Sequence, residues 1–277
     1  MICILDISGL IYRAFYGTPS MNYNGQEVGA LFGFCSEIIN ILKVFNGAKF
    51  VATLDSAKKT FRNDIYQQYK ANRRQMPVEL VQQCPLIQCA CEKFGFKIAK
   101  RLGYEADDII ASYTKHFRNT NPITIVSCDK DLLQLLQFDN VKIYNPSKHR
   151  YVDTVDVIHK FGVTPRQLLD MFSLMGDASD NIPGIPGVGI KIATKLINQY
   201  KSLDGLIANL EQLPNTKLMQ KVKENIAQAK LSRQLVKLCD NVDLDFNLQN
   251  NAEHDIRSYF ELLGFNSLIK RLRGLGY

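Results

Sequence analysis

Residues 123–131, "ITIVSCDKD", decide how this chain folds: a short β-branched run that stops at two acids, Asp129 and Asp131. Apolar runs of this length with no polar alternation mark strands buried on both faces, which belong to parallel sheets. The same pattern stands upstream, where "MICIL" (1–5) meets Asp6 and "FVATL" (50–54) meets Asp55. "FKIA" (96–99) and "VKIY" (141–144) complete the set. Between these runs lie helix-length periodic segments, "VGALFGFCSEIINILKVF" (28–45), "PVELVQQCPLIQCACEKF" (77–94) and "ADDIIASYTKHF" (106–117). Strands alternating with helices imply βαβ units and a mostly parallel central sheet flanked by helices, an α/β fold. From about Thr154 the strand signal nearly vanishes and short helices follow one another. The expected division is an α/β core over 1–170 and a helical lobe over 171–277.

The whole chain sets broad limits. Its 277 residues suffice for a sizeable core, and 46% hydrophobic with 22% charged residues is the composition of a soluble globular protein. The opening "MICILDISGL" has no basic n-region and carries Asp6 in its apolar run, so it does not read as a signal peptide. No run approaches the roughly 18 apolar residues of a membrane span, so no membrane partner is expected and the location expected is cytoplasmic, with activity at the nucleoid. Seven scattered cysteines are an odd number, and Cys84, Cys89 and Cys91 form no CxxC pair with a nearby histidine. Reduced, mostly packed thiols are expected rather than a zinc site.

Acids collect where parallel sheets bind ligands, outside the carboxyl ends of the strands. Asp6, Asp55, Asp129 and Asp131 follow strands; Glu105, Asp107 and Asp108 open a helix in "YEADDIIASY"; Asp177 and Asp180 sit in "MGDASDNIPGIPGVGIKIATKLI" (175–197). Singly, each has an ordinary explanation, as a turn residue or a first-turn acid suited to the helix dipole. Nine carboxylates brought to one edge would repel too strongly to stay ionised without cations. Mg²⁺, or Mn²⁺ in its place, suits an all-oxygen donor set, and carboxylate sites holding two metals roughly 4 Å apart perform in-line phosphoryl displacement. These nine are a third of the 27 acidic residues, so the rest of the chain is far more basic than the net +7 suggests. A basic body around an acidic pocket suits a polyanion held for cutting.

Two further segments fit a nucleic acid. "KKTFRNDIYQQYKANRRQMP" (58–77) interleaves Lys58, Lys59, Arg62, Lys70, Arg73 and Arg74 with Phe61, Tyr66 and Tyr69. It reads either as a solvated connection or as a basic arch whose guanidinium groups meet phosphate and whose rings stack on bases. "GIPGVG" (184–189) resembles the hairpin of helix–hairpin–helix modules. Gly184, Gly187 and Gly189 would let backbone N–H groups approach a phosphate, and Lys191 and Lys195, one turn apart, would extend that surface.

Taken in order, "ILDISGLIYRAF", "TLDSAKKTFRNDIYQQYKANRRQMP", "YEADDIIA", "SCDKDLLQL" and "LMGDASDNIPGIPGVGIKIA" resemble the bacterial and phage 5′-nuclease family. That family comprises flap endonucleases and the 5′→3′ exonuclease domain of bacterial DNA polymerase I, and the resemblance runs through the closing "FELLGFNSLIKRL". It implies a PIN-like core, a helical arch, and a helix–three-turn–helix lobe at about 174–200. It implies two metal ions on the nine acids, with Asp108 counted as catalytic. It implies catalytic Lys70 and Arg73 at the scissile phosphate, Tyr69 stacked near the displaced base, Arg13 on phosphate and Arg74 on DNA. It also implies K⁺ held by the backbone carbonyls of Leu174, Met175, Pro183, Ile185 and Val188. Cys128 stands where the related pattern often has Gly.

The function expected is structure-specific 5′→3′ hydrolysis of DNA flaps, overhangs or nicks, in replication primer removal or repair. The protein is expected to be a monomer, free-standing or excised from a polymerase, with a DNA polymerase as partner in cis or in trans. Two alternatives share parts of the pattern: a PIN-type ribonuclease, with the same acidic edge, and a non-catalytic junction-DNA-binding module, with structural acids.

Overall fold

A computed structural model describes residues 1–56, 58–249 and 255–275. The chain begins with β1 (Ile2–Asp6), α1 (Ile7–Gly17), a small hairpin of β2 (Asn22–Tyr23) and β3 (Gln26–Glu27), and α2 (Gly29–Val44). It continues through β4 (Lys49–Thr53), α3 (Phe61–Ile65), α4 (Val78–Lys93), β5 (Lys97–Ala99), α5 (Ala106–Phe117), β6 (Ile123–Val126), β7 (Val141–Asn145) and β8 (Arg150–Val152). Helices follow: α6 (Thr154–Phe161), α7 (Leu168–Met175), α8 (Ile190–Tyr200), α9 (Leu203–Ala208), α10 (Lys217–Glu224), α11 (Ile226–Val236), α12 (Ile256–Leu262) and α13 (Asn266–Leu272).

The six-stranded sheet has the order β5-β4-β1-β6-β7-β8, parallel except for the antiparallel β8 at its edge. All five residues of β1 are buried because it is flanked on both sides and covered on both faces. Its side chains alternate between two cores. Cys3 and Leu5 join α1, α2 and α4, whereas Ile2 and Ile4 join α5 and the helical lobe. Strand order reverses at β1 and β6, the switch point where a ligand crevice opens beyond the carboxyl ends.

Two sequence expectations need correction. The helical lobe does not run to the end of the described chain. After α11 an extended segment crosses α5, with Val242 N–H donating to Ser112 Oγ at 3.1 Å and Tyr113 Oη–H donating to the Asp245 carbonyl at 2.8 Å. Then α12 and α13 return to the opposite face, where Phe260, Phe265 and Leu268 join the cluster of Leu31, Phe34 and Phe94. Helical periodicity announces a buried stripe but not which face of the sheet receives it. The arch is the second correction. Within 58–77 only α3 is helical, and residues 67–73 form turns that lie down on the acidic edge. Polar contacts with the acids replace the apolar face that a longer helix would need.

Candidate metal centre and nucleic-acid interface

The crevice is built by strand ends. Asp6, the last residue of β1, caps α1 through Gly9 N–H at 3.0 Å and accepts Ser127 Oγ–H at 2.6 Å. Asp55, just past β4, accepts Ala106 N–H at 2.8 Å and Ser8 Oγ–H at 2.6 Å, joining β4 to the N-termini of α5 and α1. Asp129 accepts Asp131 N–H at 2.8 Å. Asp107, half-buried in the first turn of α5, faces this group. Burial, then the charges of Asp129 and Asp55, pushes Asp6 up to about 6 against the lowering hydrogen bonds of Ser127 and Gly9. Burial and the charges of Asp129, Asp6 and Asp55 hold Asp107 well above the usual carboxylate range. Among the described residues the hydrogen bonds to these acids come from neutral groups, so a cation placed among them would relieve their repulsion.

Beside it lies a second group. Asp131, Asp177 and Asp180 each bring one carboxylate oxygen within 4.8 Å of the others. Burial and the charge of Asp129 push Asp131 up to about 7 despite nearby Lys130. Asp177 is also desolvated, but Lys130 Nζ at 2.6 Å and Ser179 hold its pKa below the ordinary value. Neither group contains histidine or cysteine, and both offer only oxygen, so the donor set fits hard divalent ions and not soft ones.

The basic segment rests on these acids. Lys70 Nζ donates to Glu105 Oε1 at 2.6 Å and its backbone N–H donates to the Asp180 carbonyl at 2.9 Å. That double contact accompanies a left-handed φ of 56°, a conformation costly for a side chain with a Cβ. Arg73 holds Asp180 Oδ1 through Nε at 2.9 Å and Nη2 at 2.5 Å. A cleft of about 220 Å³ opens between Asp55, Lys58, Asn63, Lys70, Arg73 and Glu105.

Three expected roles do not match what the side chains touch. Asp108, expected to hold metal, is fully buried and takes a two-pronged pair from Arg62, with both N–O distances 2.7 Å. Its oxygens also accept Cys239 N–H at 2.9 Å and Glu105 N–H at 3.1 Å, so it is a structural anchor. Tyr69, expected to stack on a base, is 5% exposed with its hydroxyl on Glu105 at 3.0 Å. Gly184, expected at phosphate, presses its backbone on α7, where a Cβ would stand 2.1 Å from the Met175 carbonyl.

The other expected DNA and K⁺ groups are distributed as follows. Gly187 has φ +84° at the exposed hairpin tip, Gly189 borders open space, and Lys191, Lys195 and Arg74 are exposed. Arg13 pairs with Glu37 at 3.2 Å. Of the five carbonyls proposed for K⁺, Leu174 accepts Ile185 N–H at 2.8 Å, Ile185 accepts Val188 N–H at 2.9 Å, and Pro183 accepts the Ser232 hydroxyl. The carbonyls of Met175 and Val188 accept no hydrogen bond outside regular helix and strand pairing among the described residues.

Sequence reasoning missed Ser127, Lys130 and the burial of Arg62. Lys130 was legible in principle, as a lone cation inside "SCDKD". The contacts of Ser127 with Asp6 and of Arg62 with Asp108 had no signal, since these partners lie 121 and 46 residues away.

Profiles of known families match the chain from its first residue to residue 258. The 5′-3′ exonuclease N-terminal resolvase-like domain matches residues 1–162, and the 5′-3′ exonuclease C-terminal SAM fold matches residues 163–258. The 5′-3′ exonuclease of Bacillus subtilis is 33% identical over 98% of this chain and 96% of its own length. DNA polymerase I of Rhizobium leguminosarum is 39% identical over 97% of this chain, which spans only 28% of that polymerase. Among solved structures, T5 5′-exonuclease with bound divalent metal ions (zinc) shares the fold with TM-score 0.72 and 23% identity, covering 86% of this chain and 89% of that one. The catalytic core of Rad2 in complex with DNA substrate follows at TM-score 0.63 and 14% identity, covering 99% and 91%. Strand-end acids, basic segment and hairpin lobe thus occur together in one matched architecture, and the chain belongs to the 5′-3′ exonuclease family.

Proposed function

We propose that the chain is a Mg²⁺-dependent, structure-specific 5′→3′ exonuclease and flap endonuclease that cuts DNA near junctions of single strand and duplex. The observation that carries this is the pairing of two all-carboxylate groups at the switch point with a cationic segment that rests on Asp180 of one group and on Glu105, which opens the helix carrying Asp107 of the other. Asp6, Asp55, Asp107 and Asp129 would hold one divalent ion, joined by Glu105 once Lys70 releases it, and Asp131, Asp177 and Asp180 a second. When bound, such ions supply charge neutralisation and an activated water. The acids fix where that charge sits, and Ser127, Ser8 and Gly9 fix the acids.

Lys70 and Arg73 would be the groups that meet the scissile phosphate and stabilise its transition-state charge. In this structure they neutralise Glu105 and Asp180, so they can leave once other cations take over those acids. The hairpin with Gly187, Gly189, Lys191 and Lys195 would grip the duplex, and Arg13 and Arg74 would add phosphate contacts. K⁺ belongs to the same proposal, on the carbonyls of Met175 and Val188 and the second lone pairs of Leu174, Pro183 and Ile185. The protein would act as a monomer, with a DNA polymerase as partner in cis or in trans, in line with the polymerase relatives. Among the described residues no helix is long and apolar enough to cross a membrane.

The test is incubation with a labelled 5′-flap duplex, with and without Mg²⁺, beside a matched RNA flap. Mg²⁺-dependent incision of the DNA flap at the junction is expected. Incision of the RNA alone would replace the assignment with a ribonuclease, and no incision of either would leave a binding module.

A further inference from the structure

The hairpin accounts for only part of the positive surface beside it. Helix α10 is capped by Thr216, whose hydroxyl accepts Met219 N–H at 3.2 Å. It buries Val222 and packs Leu218 and Met219 against the lobe core. Leu218 also reaches the hairpin: a Cβ built on Gly187 would stand 3.7 Å from its Cδ1. The hairpin tip and α10 are therefore direct neighbours. With Leu218 and Val222 turned inward, Lys217 and Lys221 fall one turn apart on the outer face, and both are exposed. They repeat the i, i+4 spacing of Lys191 and Lys195 on α8.

Among the described residues none of these four lysines has an ion-pair partner, unlike Lys223, which approaches Glu211 at 3.8 Å. Unpaired cations on a helix face, with no aromatic residue among "KLMQKVKE", match a phosphate backbone and not unstacked bases. Single-strand binders add stacking rings to their basic grooves.

We infer that α10 forms a second phosphate-contact stripe, with Lys217 and Lys221 flanking the hairpin tip opposite Lys191 and Lys195, and that its ligand is the backbone of duplex DNA. The inference rests on the proposed duplex grip of the hairpin and extends it to a helix outside the motif. Neutralising one phosphate contact lowers the slope of log affinity against log salt by about 0.9 for duplex DNA.

The experiment is fluorescence anisotropy with a 5′-flap duplex in EDTA across a salt series, comparing the wild type with Lys217→Ala/Lys221→Ala and Lys191→Ala/Lys195→Ala. The α10 double variant is expected to bind more weakly, with a slope shallower by roughly one to two. Lys217→Arg/Lys221→Arg should restore the wild-type slope. A wild-type slope in the α10 variant, with a shallower one in the α8 variant, overturns the inference and leaves the hairpin grip standing. Wild-type slopes in both would sink the grip itself. Equal loss on single-stranded DNA of the flap sequence would overturn the assignment to duplex.

Discussion

Asp107 and Asp108 are adjacent in sequence and opposite in circumstance. Asp107 joins Asp6, Asp55 and Asp129, whose hydrogen-bond partners are neutral hydroxyls and amides and which take part in no ion pair among the described residues. Asp108 belongs with Glu105, Asp177 and Asp180, each held by a cation of the chain: Arg62, Lys70, Lys130 and Arg73 respectively serve Asp108, Glu105, Asp177 and Asp180. The first set stays electrostatically unsatisfied until cations arrive from outside. The second is already neutralised, either permanently, as at the buried Asp108, or by groups that can move, as at Asp180. One acidic edge therefore contains open ligands, latched ligands and an anchor.

Arg62→Ala should produce the largest effect, because it strands Asp108 as an uncompensated buried charge. Breaking such a pair costs about 3–5 kcal/mol. The cost should appear as a large fall in unfolding free energy by denaturant titration, with Mn²⁺ stoichiometry of the folded protein unchanged. Loss of a bound Mn²⁺ at unchanged stability would return Asp108 to the metal set and erase the contrast. Lys70→Ala comes next. It should slow single-turnover cleavage by roughly two to three orders of magnitude, as removal of an oxyanion donor does. It should also tighten Mn²⁺ binding, since Glu105 loses its internal cation. A near-wild-type rate would remove Lys70 from the chemistry, and unchanged Mn²⁺ affinity would show that the latch opposes nothing.

How much of this was readable beforehand follows from the range of the forces involved. Strand runs ending in Asp6, Asp55 and Asp129 were legible because a buried strand and the turn beyond it are both local. The division of labour between Asp107 and Asp108 was not. Consecutive residues on a helix point about 100° apart, and which of the two meets Arg62 depends on how α3 and the end of α11 dock. Arg62 also accepts no local explanation: its guanidinium donates to the carbonyls of Leu235 and Lys237, far along the chain. A run of charges reads as solvated until those partners arrive. The glycines of the hairpin divide in the same way, Gly187 by its positive φ and Gly184 by its contact with Met175.

Acids of both groups should also be visible in pH dependence. Asp6 at about 6 and Asp131 at about 7 lie above the ordinary value of 3.8, so the folded, metal-free protein holds protons that the unfolded chain releases. Its stability should then fall as pH rises from about 4 through 7. Denaturation in EDTA at a series of pH values checks the sign. Mn²⁺ should flatten or reverse the trend by favouring the ionised acids. A metal-free protein that gains stability across this window would mean that the acids are satisfied from within.

Ser127→Ala sharpens the contrast at its finest point. The hydroxyl donates to Asp6 Oδ2 at 2.6 Å and accepts Asp129 N–H at 2.9 Å, so one neutral group orients acids from two neighbouring strands. Its hydrogen bond favours the ionised form of Asp6, against burial and the charges around it. Without it the carboxyl holds its proton more tightly and a metal ion must displace that proton to bind. Partners that orient ligands are typically worth 10–100-fold in metal affinity, and about tenfold is expected here because Gly9 N–H still holds the other oxygen of Asp6. Mn²⁺ titration of the variant should show this deficit near pH 6 and a smaller one near pH 8, where the acid ionises without help. A deficit that does not change with pH would point to lost geometry instead, and wild-type affinity at both values would mean that Asp6 is positioned by Gly9 alone.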